Sequence, residues 1–362
     1  MHDPFAASRP RPELPPPEPL DGRKPRVLAH VLRYFDWHSG GAERMLHGIL
    51  RGLQQRGWDV EAVTVEYRGH RRDYEWDGVH VRVLTDSEMQ PAYAWCDVAM
   101  THLDVTSHAM AWARYGRPLA QIIHNHRQLV HHRVPDDGNN YPVWNSEWIA
   151  KEWSEHWQRP SLVCRPPSHS AEHATKVPNR HKLKTATLVN LLGEKGGPLF
   201  WRLARRLPDW RFLGAIGAYG MQHTPDPMPP NGVVVPSTTD MRTVWEQTSV
   251  LLVPAWYESF SLTACEACAS GIPIIAHPTP GLLESMTNPE LGEVALFRDR
   301  DDDQAWVDAL ASLESQARWR ERSRLSLAHA EHLDRQSEAD LDRLDGFLRA
   351  IVAERQPVSQ PA

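Results

Sequence analysis

Residues 249–281 read SVLLVPAWYESFSLTACEACASGIPIIAHPTPG and place two carboxylates where a strand is expected to become a helix. The apolar run before Pro254 predicts a buried strand, and the run after Gly271 predicts a second strand that enters a turn. The helix between them is expected to begin near Ser261. Glu258 then lies in the loop, and Glu266 lies one to two turns into the helix, at about 1.5 Å rise per residue.

A helix that begins at such a point offers unpaired backbone N–H groups and the positive end of its dipole to a phosphate. Carboxylates accept hydrogen bonds from vicinal hydroxyl groups, which both sugars and ribose carry. A nucleoside diphosphate sugar has the order ribose, diphosphate, sugar, so Glu258 and Glu266 suit its two ends. The plainer alternative is one glutamate favoured by the helix dipole and one surface glutamate.

The composition indicates an ordinary two-domain protein. The chain has 362 residues, 41% apolar residues and a formal net charge of −6, so no overall basic surface indicates nucleic-acid binding. Four cysteines are too few for a disulfide scaffold, and no apolar run is long enough to span a bilayer. We therefore expect a cytoplasmic protein without a signal peptide or a transmembrane segment. Its oligomeric state is left open.

Short apolar runs alternate with helical patterns along most of the chain, which predicts doubly wound sheets with mostly parallel strands. The expected strands outside the opening stretch are RVLAHVL, DVEAVTV, VHVRVL, DVAMTH, PLAQIIH, TATLVN, WRFLGAI and VVVP. The alternation breaks at a proline-containing segment and then restarts. This predicts two Rossmann-like domains, with the ligand site in the interdomain cleft beyond the carboxyl ends of the strands.

The expected boundaries follow from these breaks. Residues 1–25 are expected to be a disordered proline-rich N-terminus, residues 26–166 an N-terminal acceptor-side domain, and residues 167–182 a linker. Residues 183–330 are expected to be a C-terminal nucleotide-sugar-binding domain, residues 331–353 a C-terminal helix packing back on the first domain, and residues 354–362 a tail.

Two glycine-containing junctions supply further candidates for phosphate contact. Gly40 and Gly41 stand where the first strand turns into its helix, and glycine lets a backbone approach a ligand closely. In LVNLLGEKGGPLF, Lys195 follows a strand that ends near Asn190, where a lysine suits a phosphate as a point charge. Taken singly, a tight turn and a solvated lysine explain these residues as well.

Together these stretches resemble the retaining GT-B glycosyltransferases of the family 4 type. ESFSLTACEACASGIPIIA is similar to the E-x7-E region of that family. The Gly-Gly after the first strand, EKGG, GAIGAYG and VLLVPAWYESF occur in the family's order and approximate spacing. The resemblance covers residues 26–353, and the ordered set is specific although each motif alone is weak.

The resemblance implies roles for individual residues. The catalytic residues would be His124, beside the reacting sugar, and Glu258, which would bind donor-sugar hydroxyls together with Ser259 and Phe260. Glu266 would bind ribose, and the loop with Thr239 and Met241 would pack on the nucleobase. The diphosphate would be bound by Gly40, Gly41, Asn190, Lys195, Ser261 and Leu262. Asn190 stands where the family usually has an arginine, so binding by two cations is in question.

The implied reaction is a hexosyltransferase-like transfer of sugar from a nucleoside diphosphate donor, UDP or GDP, with retention of configuration. No metal and no cofactor are expected. The acceptor is open among a saccharide, a natural product, a protein side chain and a modified DNA base. A sugar-nucleotide epimerase of the same fold and a non-catalytic sugar-nucleotide-binding protein are the alternatives.

Four further groups of residues suggest structural or binding roles by their residue types. HNHRQLVHHR, residues 124–133, holds four histidines without Asp, Glu or Cys, so an acceptor-side loop is favoured over a metal site. RGHRRDYEW, residues 68–76, is basic and aromatic and is read as a solvated loop with potential contact to a phosphate-bearing acceptor. Cys265 and Cys268 are expected as buried helix thiols, and the acidic residues near 298–303 as a helix cap.

Overall fold

The computed structural model describes residues 14–35, 40–65, 72–125, 139–153 and 160–355. The chain divides into two compact units. The first unit comprises Met1–Pro167 and Glu338–Ala362, and the second comprises Ser168–Ser337. Each unit is built on one mostly parallel sheet, as the alternation of strands and helices predicts.

The sheet of the first unit has the strand order β3-β4-β2-β1-β5-β6-β7-β8. All neighbouring strands are parallel except the antiparallel pair β3 and β4. The strands are β1 Arg26–Val31, β2 Asp59–Val65, β3 Tyr74–Trp76, β4 Val79–Leu84, β5 Val98–His102, β6 Leu119–Ile123, β7 Asn140–Trp144 and β8 Leu162–Val163.

Helices cover both faces of this sheet, and the strands β1, β5, β6 and β7 are buried almost along their whole length. The helices are α1 Gly41–Gln55, α2 Met89–Trp95, α3 Thr106–Ala113 and α4 Glu147–Trp153, with 3-10 turns at Asp86–Glu88 and Leu103–Val105. Helix α1 contributes the apolar positions expected from its sequence to the core, namely Met45, Leu46, Ile49, Leu50 and Leu53.

The sheet of the second unit is parallel throughout, with the strand order β11-β10-β9-β12-β13-β16. Its strands are β9 Thr185–Val189, β10 Arg211–Ala215, β11 Gly232–Val235, β12 Val250–Val253, β13 Ile274–Ala276 and β16 Leu296–Phe297. A separate antiparallel pair consists of β14 Thr287–Asn288 and β15 Gly292–Glu293.

Helices and two apolar clusters enclose this second sheet. The helices are α5 Ser170–His173, α6 Gly197–Arg206, α7 Arg242–Trp245, α8 Leu262–Ala269, α9 Pro280–Ser285 and α10 Asp303–Ser312, with a 3-10 turn at Arg180–Leu183. Asp302 caps α10 by accepting a hydrogen bond from the backbone N–H of Ala305 at 3.0 Å, which confirms the expected cap.

The long helix α11, Gln316–Glu354, contributes to the cores of both units. Trp319, Ala330 and Leu333 belong to the apolar clusters of the second unit. The residues that pack into the core of the first unit recur at helical spacing and are Leu341, Leu344, Leu348, Ile351 and Val352. No helix in the described part of the chain is both long enough and apolar enough to span a bilayer.

Three boundaries differ from those expected. Residues 14–25, assigned to a disordered terminus, contact the first unit, where Leu14 is buried and Arg23 forms an ion pair with Asp97 at 2.6 Å. Residues 168–182, assigned to a linker, belong to the second unit, where the buried Arg180 donates to the carbonyl of Thr248 at 2.9 Å. The domain boundary expected at residue 331 falls inside one helix, Gln316–Glu354, whose sequence is helical in pattern over that whole range. The proline-containing sequences of residues 14–25 and 168–182 have no helix or strand periodicity from which these tertiary contacts could be predicted.

Candidate functional site

The loops that follow the strands of the second sheet carry most of the predicted site residues. Strands β9, β12, β13 and β16 lie side by side and are parallel, so their carboxyl ends meet at one edge. Asn190 and Lys195 follow β9, and Glu258 and Ser261 follow β12. This is the edge at which open α/β sheets bind ligands.

Lys195 and Glu258 form an ion pair at this edge. The Lys195 Nζ lies 2.8 Å from Glu258 Oε1 and donates a second hydrogen bond, at 3.3 Å, to the Tyr257 carbonyl. Their side chains are 18% and 16% exposed, so both charges remain accessible to a ligand. Burial disfavours the lysine charge, but the Glu258 carboxylate outweighs it and raises the pKa of Lys195. The lysine is therefore a fixed cation.

Backbone packing brings the two loops together. Gly196 has a φ of 97°, and a Cβ there would lie 2.3 Å from the Cγ of Pro254, so only glycine fits. The Trp256 N–H donates to the Glu194 carbonyl at 2.9 Å. The loop after β9 and the loop after β12 are thus held in register, which fixes the position of Lys195 relative to Glu258.

Arg300 secures the same loops and was not singled out from the sequence. Its guanidinium donates to the carbonyls of Glu194 at 2.8 Å and Gly193 at 2.6 Å, and it lies 4.6 Å from the ring centroid of Trp256. In the sequence Arg300 stands between aspartates, and those aspartates predicted a helix N-cap and not a binding site. The hydrogen-bond partners of Arg300 are backbone carbonyls, and because every residue has one, no sequence pattern predicts these contacts.

Helix α8 begins without a side-chain cap. Ser261 has φ 77° and ψ 71°, and its hydroxyl makes no capping hydrogen bond. An N-cap residue usually has extended backbone geometry, from which its oxygen reaches the first-turn N–H groups. Within the described residues, the N–H groups of Leu262 and Thr263 find no hydrogen-bond acceptor. They are available to an anion at a positive helix terminus, as the sequence led us to expect.

Other predicted residues of the second unit occupy less accessible positions. The Phe260 and Met241 side chains are 2% and 8% exposed and pack in the core, so direct contact of Phe260 with a ligand is restricted to its backbone. Glu266 is 4% exposed, whereas Thr239 is exposed and Ser259 is half-buried. The expected sugar and nucleobase roles of these residues stay predictions.

Asn190 directly follows β9 and has a left-handed conformation with φ 69°. Its Oδ1 accepts hydrogen bonds from Gln222 Nε2 at 3.1 Å and from the Leu192 N–H at 3.3 Å. Gln222, in the loop after β10, was not predicted as a site residue. Because it lies 32 positions from Asn190 in the chain, no local pattern indicates the contact.

His124 lies in the first unit, directly after β6, and pairs with His102 at the end of β5. The distance from His102 Nδ1 to His124 Nε2 is 2.9 Å, and the residues are 3% and 8% exposed. Burial lowers the pKa of His102 to about 3, and burial together with the neighbouring His102 lowers the pKa of His124 well below its usual range. Both rings are neutral near pH 7, so one donates and the other accepts.

The glycine pair of the first unit lies at the start of α1. Gly40 is the N-cap with an extended backbone, and a Cβ added at Gly41 would meet no atom within 4 Å. Residues 36–39, which complete this junction, lie outside the described ranges, as do residues 66–71 and 126–138 of the two basic loops. The four cysteines are free and buried, including Cys265 and Cys268 in α8, as expected.

The residues that the structure describes contain no group of three or more His, Cys, Asp or Glu side chains placed to hold a metal ion. Lys195, the Arg300 guanidinium and the start of α8 are positive groups at this edge of the second sheet.

Solved structures with the same fold cover almost the whole chain. Sucrose-phosphate synthase from Thermosynechococcus elongatus aligns over 92% of this chain and 100% of its own, with a TM-score of 0.73 and 15% identity. Anabaena HepE in complex with UDP-glucose aligns over 91% and 99%, with a TM-score of 0.67 and 12% identity. The chain has the GT-B glycosyltransferase fold.

A family model matches part of the second unit of this GT-B chain. Residues 204–316 match the family described as glycosyl transferases group 1. A D-inositol 3-phosphate glycosyltransferase from Corynebacterium glutamicum is 39% identical over 88 residues. That segment is 24% of this chain and only 18% of the curated relative.

Proposed function

We propose that this protein is a glycosyltransferase that moves a sugar from a nucleoside diphosphate sugar to an acceptor with retention of configuration. The observation that carries the proposal is the Lys195–Glu258 pair at the carboxyl edge of the second sheet. It combines a cation suited to a diphosphate with a carboxylate suited to sugar hydroxyls. The GT-B fold and the group 1 match support this proposal.

The donor is proposed to bind along the loops that follow β9 and β12. Lys195 and the free N–H groups of Leu262 and Thr263 would hold the diphosphate, and Glu258 would accept hydrogen bonds from the sugar. Glu266 would contact ribose, as in the E-x7-E motif of family 4. UDP and GDP are the proposed carriers, and HepE, a structural neighbour, was solved with UDP-glucose.

In the proposed reaction, the bond between the anomeric carbon and the diphosphate oxygen breaks as the acceptor oxygen bonds to that carbon on the same face. The acceptor proton passes to the departing phosphate oxygen. His124 would contact the sugar as a neutral group while positive charge develops, and not as a general base. Lys195 would stabilise the negative charge of the leaving diphosphate.

A donor screen followed by product analysis tests the proposal. Purified protein is incubated with UDP-, GDP- and ADP-sugars, and hydrolysis and binding are measured. With an α-linked donor, NMR of the transferred product is expected to show an α-linkage. A β-linked product would overturn retention and make His124 the candidate base. Absence of binding and turnover with every donor would overturn the function.

Excess EDTA is the second test, because this proposal assigns diphosphate charge neutralisation to Lys195 and to the start of α8. Transfer is expected to continue at an unchanged rate in EDTA. A loss that only a divalent metal restores would contradict the proposed metal independence. The acceptor and the cytoplasmic location are further parts of the proposal, and the acceptor stays open among the four classes named above.

A further inference from the structure

A closed amide network surrounds Asn190 in the second unit. Gln222 Oε1 accepts hydrogen bonds from two backbone N–H groups, those of Leu191 at 2.7 Å and Gly217 at 3.1 Å. Gln222 Nε2 donates to the Tyr219 carbonyl at 2.9 Å and to Asn190 Oδ1 at 3.1 Å. Every strong hydrogen-bonding position of the Gln222 amide is therefore used.

This network determines which way the Asn190 amide points. The orientation of a side-chain amide is assigned from its hydrogen bonds, and a carbonyl oxygen must face a donor. Asn190 Oδ1 faces two donors, the Gln222 amide and the Leu192 N–H. Its Nδ2 forms the other arm of the amide, and none of the described residues accepts a hydrogen bond from it.

Two backbone features support the same arrangement. Asn190 has a positive φ of 69°, which asparagine tolerates better than other residues that carry a side chain. At Gly217, an added Cβ would lie 2.4 Å from Asn190 Cγ, so the absence of a side chain leaves room for the amide. Loops after two neighbouring strands, β9 and β10, thus fit around one side chain.

We infer that Asn190 donates its Nδ2 hydrogens to the diphosphate of the donor, and that Gln222 is a positioning residue that keeps Nδ2 turned toward the ligand. This rests on the proposed function. Asn190 lies at the carboxyl end of β9, five positions before Lys195 in the same loop. The site then combines one cation, Lys195, with an oriented neutral donor.

An arginine and an asparagine at position 190 would bind a diphosphate in measurably different ways. An arginine would add a charge and a bidentate donor that is effective without local support. A neutral amide adds hydrogen bonds only, and it is useful only if its nitrogen and not its oxygen faces the phosphate. The role of Gln222 therefore exists only through Asn190, and the two residues must be coupled.

The test measures binding of matched probes by calorimetry. UDP, GDP and ADP are each compared with uridine, guanosine and adenosine, and the tightest diphosphate is used with its own nucleoside. Asn190→Gly keeps the positive φ and removes the amide, and it is expected to weaken diphosphate binding about tenfold. Asn190→Asp replaces the amide N–H donor by a carboxylate oxygen and is expected to weaken diphosphate binding further. Nucleoside binding should not change.

Coupling distinguishes a positioning role from a structural one. Gln222→Met is expected to weaken diphosphate binding about fivefold, since only the longer hydrogen bond from the Leu192 N–H then holds the Asn190 amide in its orientation. The double variant Asn190→Gly with Gln222→Met should bind like Asn190→Gly alone. Melting temperatures of all variants show whether each is folded. Additive effects would contradict the role assigned to Gln222.

Failure of the inference and failure of the proposed function give different results. If the wild type binds a nucleoside diphosphate and transfers sugar, but Asn190→Gly binds that diphosphate equally well, the inference alone is wrong. If the wild type binds none of the three diphosphates, the proposed function and the inference are both wrong.

Discussion

The Lys195–Glu258 pair and the His102–His124 pair occupy equivalent places in their own sheets but use opposite electrostatics. Each pair joins the ends of two neighbouring parallel strands, β9 and β12 in one unit and β5 and β6 in the other. The first pair is partly exposed and charged, whereas the second is buried and neutral. Burial without a counter-charge removes the proton from an imidazole, while a carboxylate keeps it on a lysine.

The largest expected effect breaks the charged pair at Glu258. Glu258→Ala should lower kcat for transfer about a thousandfold, close to 4 kcal/mol, because a carboxylate contact to the reacting sugar is lost. Nucleotide binding should survive, because the bound diphosphate replaces Glu258 as the anionic partner of Lys195 and the N–H groups of Leu262 and Thr263 are unchanged. Steady-state kinetics with saturating donor and calorimetry with UDP and GDP measure the two effects.

Glu314→Ala is the matched control for this variant. Glu314 pairs with Lys184 at 3.0 Å on the surface of the same unit, with both side chains about two-fifths exposed. An exposed pair of this kind contributes little, so turnover should stay near that of the wild type. Near-normal turnover in Glu258→Ala itself would remove Glu258 from the proposed machinery.

Removal of the cation is expected to have the next largest effect. Lys195→Met should lower kcat/KM about a hundredfold, close to 3 kcal/mol, because the leaving diphosphate loses its charged partner. The donor affinity of the wild type should fall as NaCl is raised, and that of the variant should fall less. Lys184→Met serves as the control. Equal salt dependence in both proteins would argue against a lysine–diphosphate contact.

The neutral His102–His124 pair is expected to make the free energy of unfolding depend on pH. The pKa of His102 is about 3 in the folded chain, against an ordinary value of 6.5. Between these values the unfolded chain binds a proton that the folded chain does not, so the free energy of unfolding falls as pH drops below 6.5. At pH 5 the loss from His102 is about 2 kcal/mol, and above pH 6.5 there is none.

His102→Gln tests this loss, because an amide can still hydrogen-bond to His124. Thermal unfolding at pH 7 and pH 5 should show a smaller drop in Tm for the variant than for the wild type. His80→Gln, with a side chain that is 51% exposed, is the control. An equal drop in the wild type and His102→Gln would show that His102 is protonated in the folded chain.

The smallest expected effect concerns His124 in transfer. His124→Ala should slow transfer about tenfold, near 1.4 kcal/mol, as expected for one lost contact to the sugar. Because burial and His102 keep His124 neutral, the pH of maximal kcat/KM should be the same in the variant and the wild type. A pH–rate profile from 5.5 to 8.5 checks this. Disappearance of a basic limb would indicate a general base.

Much of the fold could be predicted because it is encoded by local patterns. Apolar runs such as 250–253 and 185–189 are strands, and the helical spacing from Met45 to Leu53 is a buried helix face. The proline-rich segment 14–25 could not be placed in this way. Its contacts, such as the Arg23–Asp97 pair, join residues far apart in the chain.

The sequence by itself determined that two doubly wound units are present and that Lys195 and Glu258 follow strands of the same sheet, because periodicity and order are local properties. Only the tertiary structure decided that these two side chains meet at 2.8 Å, that His102 hydrogen-bonds to His124, and that Gln222 hydrogen-bonds to Asn190. These contacts depend on which strands become neighbours and how deeply each group is buried. The burial and the partners of a side chain determine its charge and its orientation, and the linear sequence shows neither burial nor partners.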